Sequence, residues 1–260
     1  MRPSLAAAAL GVVFLSATVA PAQQKKRAAA PAAAPKATIG VAGVKVRSAS
    51  FRENSSDVGT RVALSVQVTA PNGIVSIDSG ESTVTEMRDS AGLVLDGPEV
   101  AYSSNIAKNG KAAMVEVRSD EVPGAQAKSV SAKGTLAVTV ATGVRTEKVP
   151  VVKLEKGATF KLAGATLTVD KVEADGESQT VTFKGPVAPF RALKEIRFLE
   201  GGQPVEASGW GRGFMGDEGE ATYRTAVKGK TASLAVDMWQ NQQTLSVPFD
   251  VQVGLVVGGR

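Results

Sequence analysis

The sequence predicts an all-β chain: two tandem, related antiparallel β-sandwich domains behind an export signal. Three observations predict it. Apolar residues alternate with polar ones at a period of two in both halves, a short motif recurs at domain-length spacing, and helical periodicity is almost absent.

The first 22 residues have the three parts of a secretory signal peptide. Arg2 supplies the positive start, an uncharged, mostly apolar run covers Leu5 to Ala20, and Ala20-Pro21-Ala22 places small residues where a signal peptidase inspects them. The run is rich in Ala and falls short of the roughly 20 strongly apolar residues that span a bilayer. Cleavage after Ala22 is therefore expected, giving a periplasmic or secreted protein that does not span the membrane after signal removal. Residues 23–36 are expected to form a disordered Ala/Pro/Lys tail, since they lack the larger apolar groups that would offset the entropy of ordering.

Of the 30 basic residues, Arg2 leaves with the signal, and Lys25, Lys26, Arg27 and Lys36 lie in the tail, so 25 remain against 25 acidic ones. A neutral body argues against nucleic acid as a partner, since such a face needs clustered Lys and Arg.

The repeat sets the domain count. Ala37-Thr38-Ile39-Gly40-Val41-Ala42-Gly43 matches Ala158-Thr159-Phe160-Lys161-Leu162-Ala163-Gly164 at four of seven positions, an offset of 121 residues (158 − 37). Near the end of each half, Thr135-Leu136-Ala137-Val138 matches Ser233-Leu234-Ala235-Val236, and Val149-Pro150-Val151 matches Val247-Pro248-Phe249, an offset of 98 (233 − 135). An opening motif and a closing hairpin recur in the same order, so internal duplication is expected, with one domain over 37–154 and the other over 155–260. The second hairpin is expected to turn at Gln240 to Gln242, beside Trp239.

Alternation is clearest at Val62, Leu64, Val66 and Val68, at Leu136, Val138 and Val140, at Val181 and Phe183, and at Val247, Phe249 and Val251. Pro189 to Lys194 is the best helical candidate and spans about one turn. Short strands without a long helix imply a sandwich of immunoglobulin-like type in each half. Pro150 and Pro248 cannot donate to a ladder, so their strands are expected to be edges or to bulge there.

The chain has no His and no Cys. Ser–His–Asp and Cys–His catalysis are thereby excluded, together with nearly all zinc, copper, haem and iron–sulfur sites, and no cofactor, metal site or catalytic residue is assigned. A carboxylate-pair glycosidase or another secreted hydrolase remains the alternative. Glu53 to Asp57 and Gly216 to Glu220 are acidic loops without the spacing of a helix–loop–helix calcium site.

The segment Ser208 to Gly219 holds five Gly in twelve residues and is expected to be an irregular loop presenting Trp210, Arg212 and Phe214. Trp and Arg are favoured at binding hot spots, and loops at sandwich ends often carry function. These three are the candidate ligand-binding residues; the alternative is that Trp210 or Phe214 folds back to plug its own core or caps the interface with the first domain.

The runs Gly59-Thr60-Arg61-Val62-Ala63-Leu64, Gly110-Lys111-Ala112-Ala113 leading to Val117-Arg118-Ser119-Asp120, and Val247-Pro248-Phe249-Asp250-Val251 resemble a group of uncharacterised exported bacterial proteins with two tandem immunoglobulin-like β-sandwich domains. The resemblance implies export and the double sandwich, and brings no functional residue with it. The expected function is a non-catalytic binding or structural module of the bacterial cell envelope. It would recognise an envelope protein or polysaccharide through sandwich loops or an edge strand.

Overall fold

The computed structural model describes residues 37–46 and 62–255. The signal peptide, its cleavage point, the tail and the acidic segment Glu53 to Asp57 lie outside the described residues. The described residues are nearly all β, 73% strand with one short helix, in three antiparallel sheets. In chain order the first elements are β1 (Thr38–Val46), β2 (Val62–Thr69), β3 (Gly73–Asp89), β4 (Glu99–Ile106), β5 (Ala112–Ser119) and β6 (Ser129–Lys153). Then come β7 (Thr159–Leu162), β8 (Ala165–Asp175), β9 (Ser178–Pro186), α1 (Val187–Ala192), β10 (Leu193–Glu200), β11 (Gln203–Pro204), β12 (Ala207–Met215), β13 (Glu218–Thr225) and β14 (Thr231–Gly254).

The first sheet has the order β1-β2-β5-β4 and the third has the order β12-β13-β9-β8-β7. Between them in function stands the second sheet, β11-β10-β14-β6-β3, which serves both cores. Its two long strands, β6 with 25 residues and β14 with 24, pair antiparallel from Ser129·Gly254 at one end to Lys153·Thr231 at the other. Strand β6 buries Val130, Ala132, Leu136, Val138 and Val140 in the first core, then Val149 and Val152 in the second. Strand β14 buries Ala232, Leu234, Val236 and Met238 in the second core, then Val247, Phe249 and Val251 in the first. The rows expected from alternation are therefore buried, but the last of them packs against the first half of the chain.

Two expectations about these strands are corrected. The turn at Gln240 to Gln242 does not form, because Gln240 pairs with Gly143 and Gln242 with Ala141, so the strand continues and its backbone groups are satisfied by its partner. The turn signal survives only as a left-handed Asn241, φ 50°. Nor is each half closed by its own hairpin: the last stretch of each long strand lies in the other half's core. Pro150 lies in a bulge of β6, where it and Val151 together oppose Ser233, and Pro248 lies on a stretch of β14 that pairs with β6 alone.

The matched opening motif is used in two ways. In the first half it lies along β1, with an irregularity between Val41 and Gly43. In the second half Ala163 and Gly164, with φ of 51° and 79°, make the two-residue turn of the β7–β8 hairpin. The Ala163 N–H donates to the Glu147 carboxylate at 2.9 Å, tying this turn to β6.

Similar polar fastenings occur in both halves. Ser119 ends β5, and its hydroxyl donates to the Asp96 carbonyl at 2.5 Å and accepts the Glu121 N–H. Thr225 ends β13, 106 residues further on (225 − 119), and its hydroxyl donates to the Glu206 carbonyl and accepts the Val227 N–H. Asp89, at the end of β3, accepts the N–H of Gly124 at 2.8 Å from the β5–β6 connection. Glu200, at the end of β10, accepts those of Lys228 and Gly229 from the β13–β14 connection.

Asp89 is buried and also accepts the N–H groups of Ala91 and Leu93. Burial pushes its pKa up, but the backbone donors outweigh that and hold it below 3.8. A depressed folded pKa stabilises above the unfolded value, and that stabilisation is lost as pH falls. We expect acid titration below about pH 4 to lower the Tm of the wild type more steeply than that of Asp89→Asn, as read by circular dichroism. Because β6 and β14 each complete both cores, fragments 37–154 and 155–260 made separately are expected not to melt cooperatively. The whole chain is expected to give one calorimetric transition; a cooperative melt from either fragment alone would contradict the shared-strand account.

Candidate functional site

The third sheet ends at β12 and the second at β10 with the short β11, so the second sandwich has an open edge between β12 and β10. The segment expected as a loop, Ser208 to Gly219, is most of a hairpin: it runs along β12 to Met215, turns at Gly216-Asp217 and enters β13, and the correction has a local cause. Residues 207–215 pair along their length with β13, and a bulge between Gly209 and Gly211 accommodates Trp210. Backbone pairing supplies the order that five glycines would otherwise withhold.

Directly opposed residues of an antiparallel pair share a face. Gly209 opposes Tyr223, Arg212 opposes Ala221 and Phe214 opposes Gly219, all three partners being buried. Gly209, Arg212 and Phe214 therefore face the interior, while Gly211, Gly213 and Met215 face out.

Arg212 spans the open edge. Its Nη1 donates to the Leu193 carbonyl at 2.5 Å and the Phe190 carbonyl at 3.5 Å, and its Nη2 to the Lys194 carbonyl at 3.3 Å. These are carbonyls at the end of α1 and the start of β10, so Arg212 ties β12 to the helix end and to the facing strand; the Phe190 carbonyl also accepts the Leu193 N–H. Phe214 is half-exposed under the Arg191 guanidinium, whose carbon lies 5.8 Å from the ring centroid. The side chain of Trp210 lies outside the described part of the structure. Of the three candidates, Arg212 and Phe214 thus line one edge together, and Arg212 is largely occupied by the main chain.

Beside Arg212 a cleft of about 450 Å³ opens between Lys194, Glu195 and Ile196 of β10 and Gly209 and Gly211 of β12. Gly209 borders it beside the Tyr223 ring, where a Cβ would make an ordinary contact at 3.4 Å. Burial raises the pKa of Tyr223, with Arg212 beside it opposing and Glu195 assisting, so it stands as a neutral phenol at neutral pH. Lys194 holds its ammonium 5.0 Å from the centroid of Trp239. That indole is half-buried against Gly73 and Gly110 of the first half, where a Cβ on Gly73 would overlap it. Trp239 is therefore a contact between the halves rather than a neighbour of a turn.

A second cleft, about 440 Å³, lies at the corresponding place in the first half. Ser79, Gly80, Ser82 and Thr83 of a widened stretch of β3 face Glu99 and Arg118 across it. There Arg118 is matched by Glu99, Nε to Oε1 at 2.7 Å.

Each cleft presents one carboxylate, Glu195 or Glu99, whereas glycoside hydrolysis uses two across the scissile bond. No group of three or more acidic side chains converges as a metal site among the described residues. Among them, too, no helix is long and apolar enough to cross a membrane. Lys194, Glu195 and Tyr223 carried no motif in the sequence; only the strand pairing brings them to Arg212. In comparisons with protein-family models, curated proteins and solved structures, nothing matches the chain.

Replacing Arg212 by Ala should cost about 1–3 kcal/mol in chemical denaturation, the range for charged hydrogen bonds to partly shielded carbonyls. It should also speed amide exchange at Leu193, the residue whose N–H bonds back to the Phe190 carbonyl. Lys at this position should recover only part of the loss, since it lacks the planar fork.

Proposed function

We propose that this chain is a non-catalytic recognition module of the bacterial cell envelope that binds an extended ligand along β12 and the adjoining cleft. One observation carries the reading: a glycine-rich strand, paired on one side only, borders a cleft and ends in the exposed residues Phe214 and Met215. Natural sheets usually blunt such edges with charge, proline or cover, and an edge left open is a template for strand addition. Export is supported by the first 22 residues, and placement in the envelope follows from it.

The immunoglobulin-like reading is supported by strand order. In the first half β1-β2-β5-β4 face β3-β6, the arrangement of a four-stranded sheet opposite the third and sixth strands. In the second half β8-β9-β13-β12 face β10-β14 in the same sense. Duplication is supported by this correspondence and by the matched fastenings of Ser119 with Thr225 and Asp89 with Glu200. The matching runs at an offset of 98 fall on β6 and β14.

Site-specific photo-crosslinking tests the reading in the exporting cell. Met215 and Val151 are both exposed apolar strand positions, 84% and 64%, on different strands. A benzophenone side chain at Met215 is expected to capture a discrete partner, and one at Val151 is expected not to. Equal capture at both positions would remove β12 as the site.

A further inference from the structure

The chemistry around β12 points to what kind of extended ligand the edge receives. Three cations gather there: Arg191 on α1, Lys194 on β10 and Arg212 on β12. None is in an ion pair with a carboxylate among the described residues; Arg191 lies over Phe214, Lys194 over Trp239, and Arg212 donates to carbonyls. Elsewhere cations are commonly matched, as in Lys45–Glu116, Lys133–Asp250, Lys171–Glu173 and Lys184–Asp170. The one carboxylate on the cleft wall, Glu195, approaches Arg197 at 3.9 Å, and Arg197 also pairs with buried Asp237.

The corresponding cleft of the first half shows the contrast. Its arginine, Arg118, is neutralised by Glu99, with Nη2 at 2.6 Å from Oε1. Two clefts of nearly equal size therefore differ mainly in charge, and only the one beside a glycine-rich edge keeps its cations uncompensated.

Resting on the reading of β12 as a recognition edge, we propose that its occupant is a peptide strand of a partner protein with carboxylates at alternate positions. A strand added to β12 would place every second side chain on the interior side, over the cleft that Lys194 and Arg212 line, with Arg191 beside it over Phe214. The intervening side chains would lie beside Gly211 and Gly213, which leave room, and Met215, which offers an apolar contact. Opposite charge across the contact then selects the partner and its register. A free backbone edge favours a peptide over a polysaccharide, since only a peptide can continue the ladder.

The test uses the full chain and two synthetic peptides of about nine residues, the length of β12, one alternating Glu with Val and Thr and the other with Gln for each Glu. Binding is followed by calorimetry, and the place of binding by amide exchange. The acidic peptide should bind about tenfold or more tighter than the Gln peptide and slow exchange in Ala207–Met215. The double variant Arg191→Gln/Lys194→Gln, both exposed side chains without hydrogen-bonded roles, should lose about tenfold of that affinity. Glu99→Gln, which frees Arg118, should not change exchange at β12.

Equal affinity for both peptides, with exchange still slowed at β12, would overturn the acidic preference and leave the edge reading standing. Polygalacturonate slowing exchange at β12 where neither peptide does would replace the peptide by an anionic polysaccharide. Acidic-peptide binding that is unchanged in the double variant and leaves β12 exchange untouched would place the contact elsewhere, as on Lys25, Lys26 and Arg27, and would overturn both readings.

Discussion

Strand β6 delivers Leu136 and Val138 to one core and Val149 and Val152 to the other, while β14 makes the same two deliveries in the opposite order. Their continuous antiparallel pairing is what the remaining structure is built upon. Without it the first sandwich would lose Val247, Phe249 and Val251, and the second would lose the end of β6. Burial of several large side chains stabilises a small sandwich by many kcal/mol in aggregate, against a net stability of only about 5–15 kcal/mol. The first and third sheets each find a complete apolar surface to cover only once the long pair exists.

Much of the fold was legible because alternation reports burial directly. Val62 to Val68, Leu136 to Val140, Val181 with Phe183 and Val247 to Val251 all supply buried rows, and Pro189 to Lys194 overlaps α1. Which core a row enters was not legible. Val247, Phe249 and Val251 read identically whether β14 turns back on itself or runs on to the other half, since period two encodes a face and not a partner. Asn241 raised the same ambiguity: its tolerance of positive φ serves a turn, and serves equally an irregular residue inside a long strand.

The site was legible only in composition. Glycine density marked Ser208 to Gly219 as unusual, yet it argued for a loop, because propensity counts what a segment lacks and not what β13 provides. Arg212 was singled out as a surface for ligands, but the ends of α1 and β10 claim most of its hydrogen bonds. The cations that remain available, Arg191 at the end of α1 and Lys194 at the start of β10, have no sequence pattern in common with β12. Their meeting is a product of topology: the open edge of a sandwich brings its third and fourth strands face to face across a gap. The same gap in the first half holds Glu99 against Arg118, so the two halves share a frame while their edges differ in charge.

The course of the long strands also decides how the molecule would carry mechanical load. Strand β1 and the last residues of β14 both pack in the first half, where Ile39 and Val251 belong to one core. A pull applied between Thr38 and Gly254 would enter and leave through that half. At its C-terminal end it would act along the β6–β14 ladder, in shear across many parallel bonds, rather than opening them one at a time. Phe160, Phe183, Phe198 and Tyr223, which interlock in the second core, stand beyond that path, and so does the cleft beside Tyr223. The β12 edge would thus keep its shape under tension that strains the opposite end of the molecule.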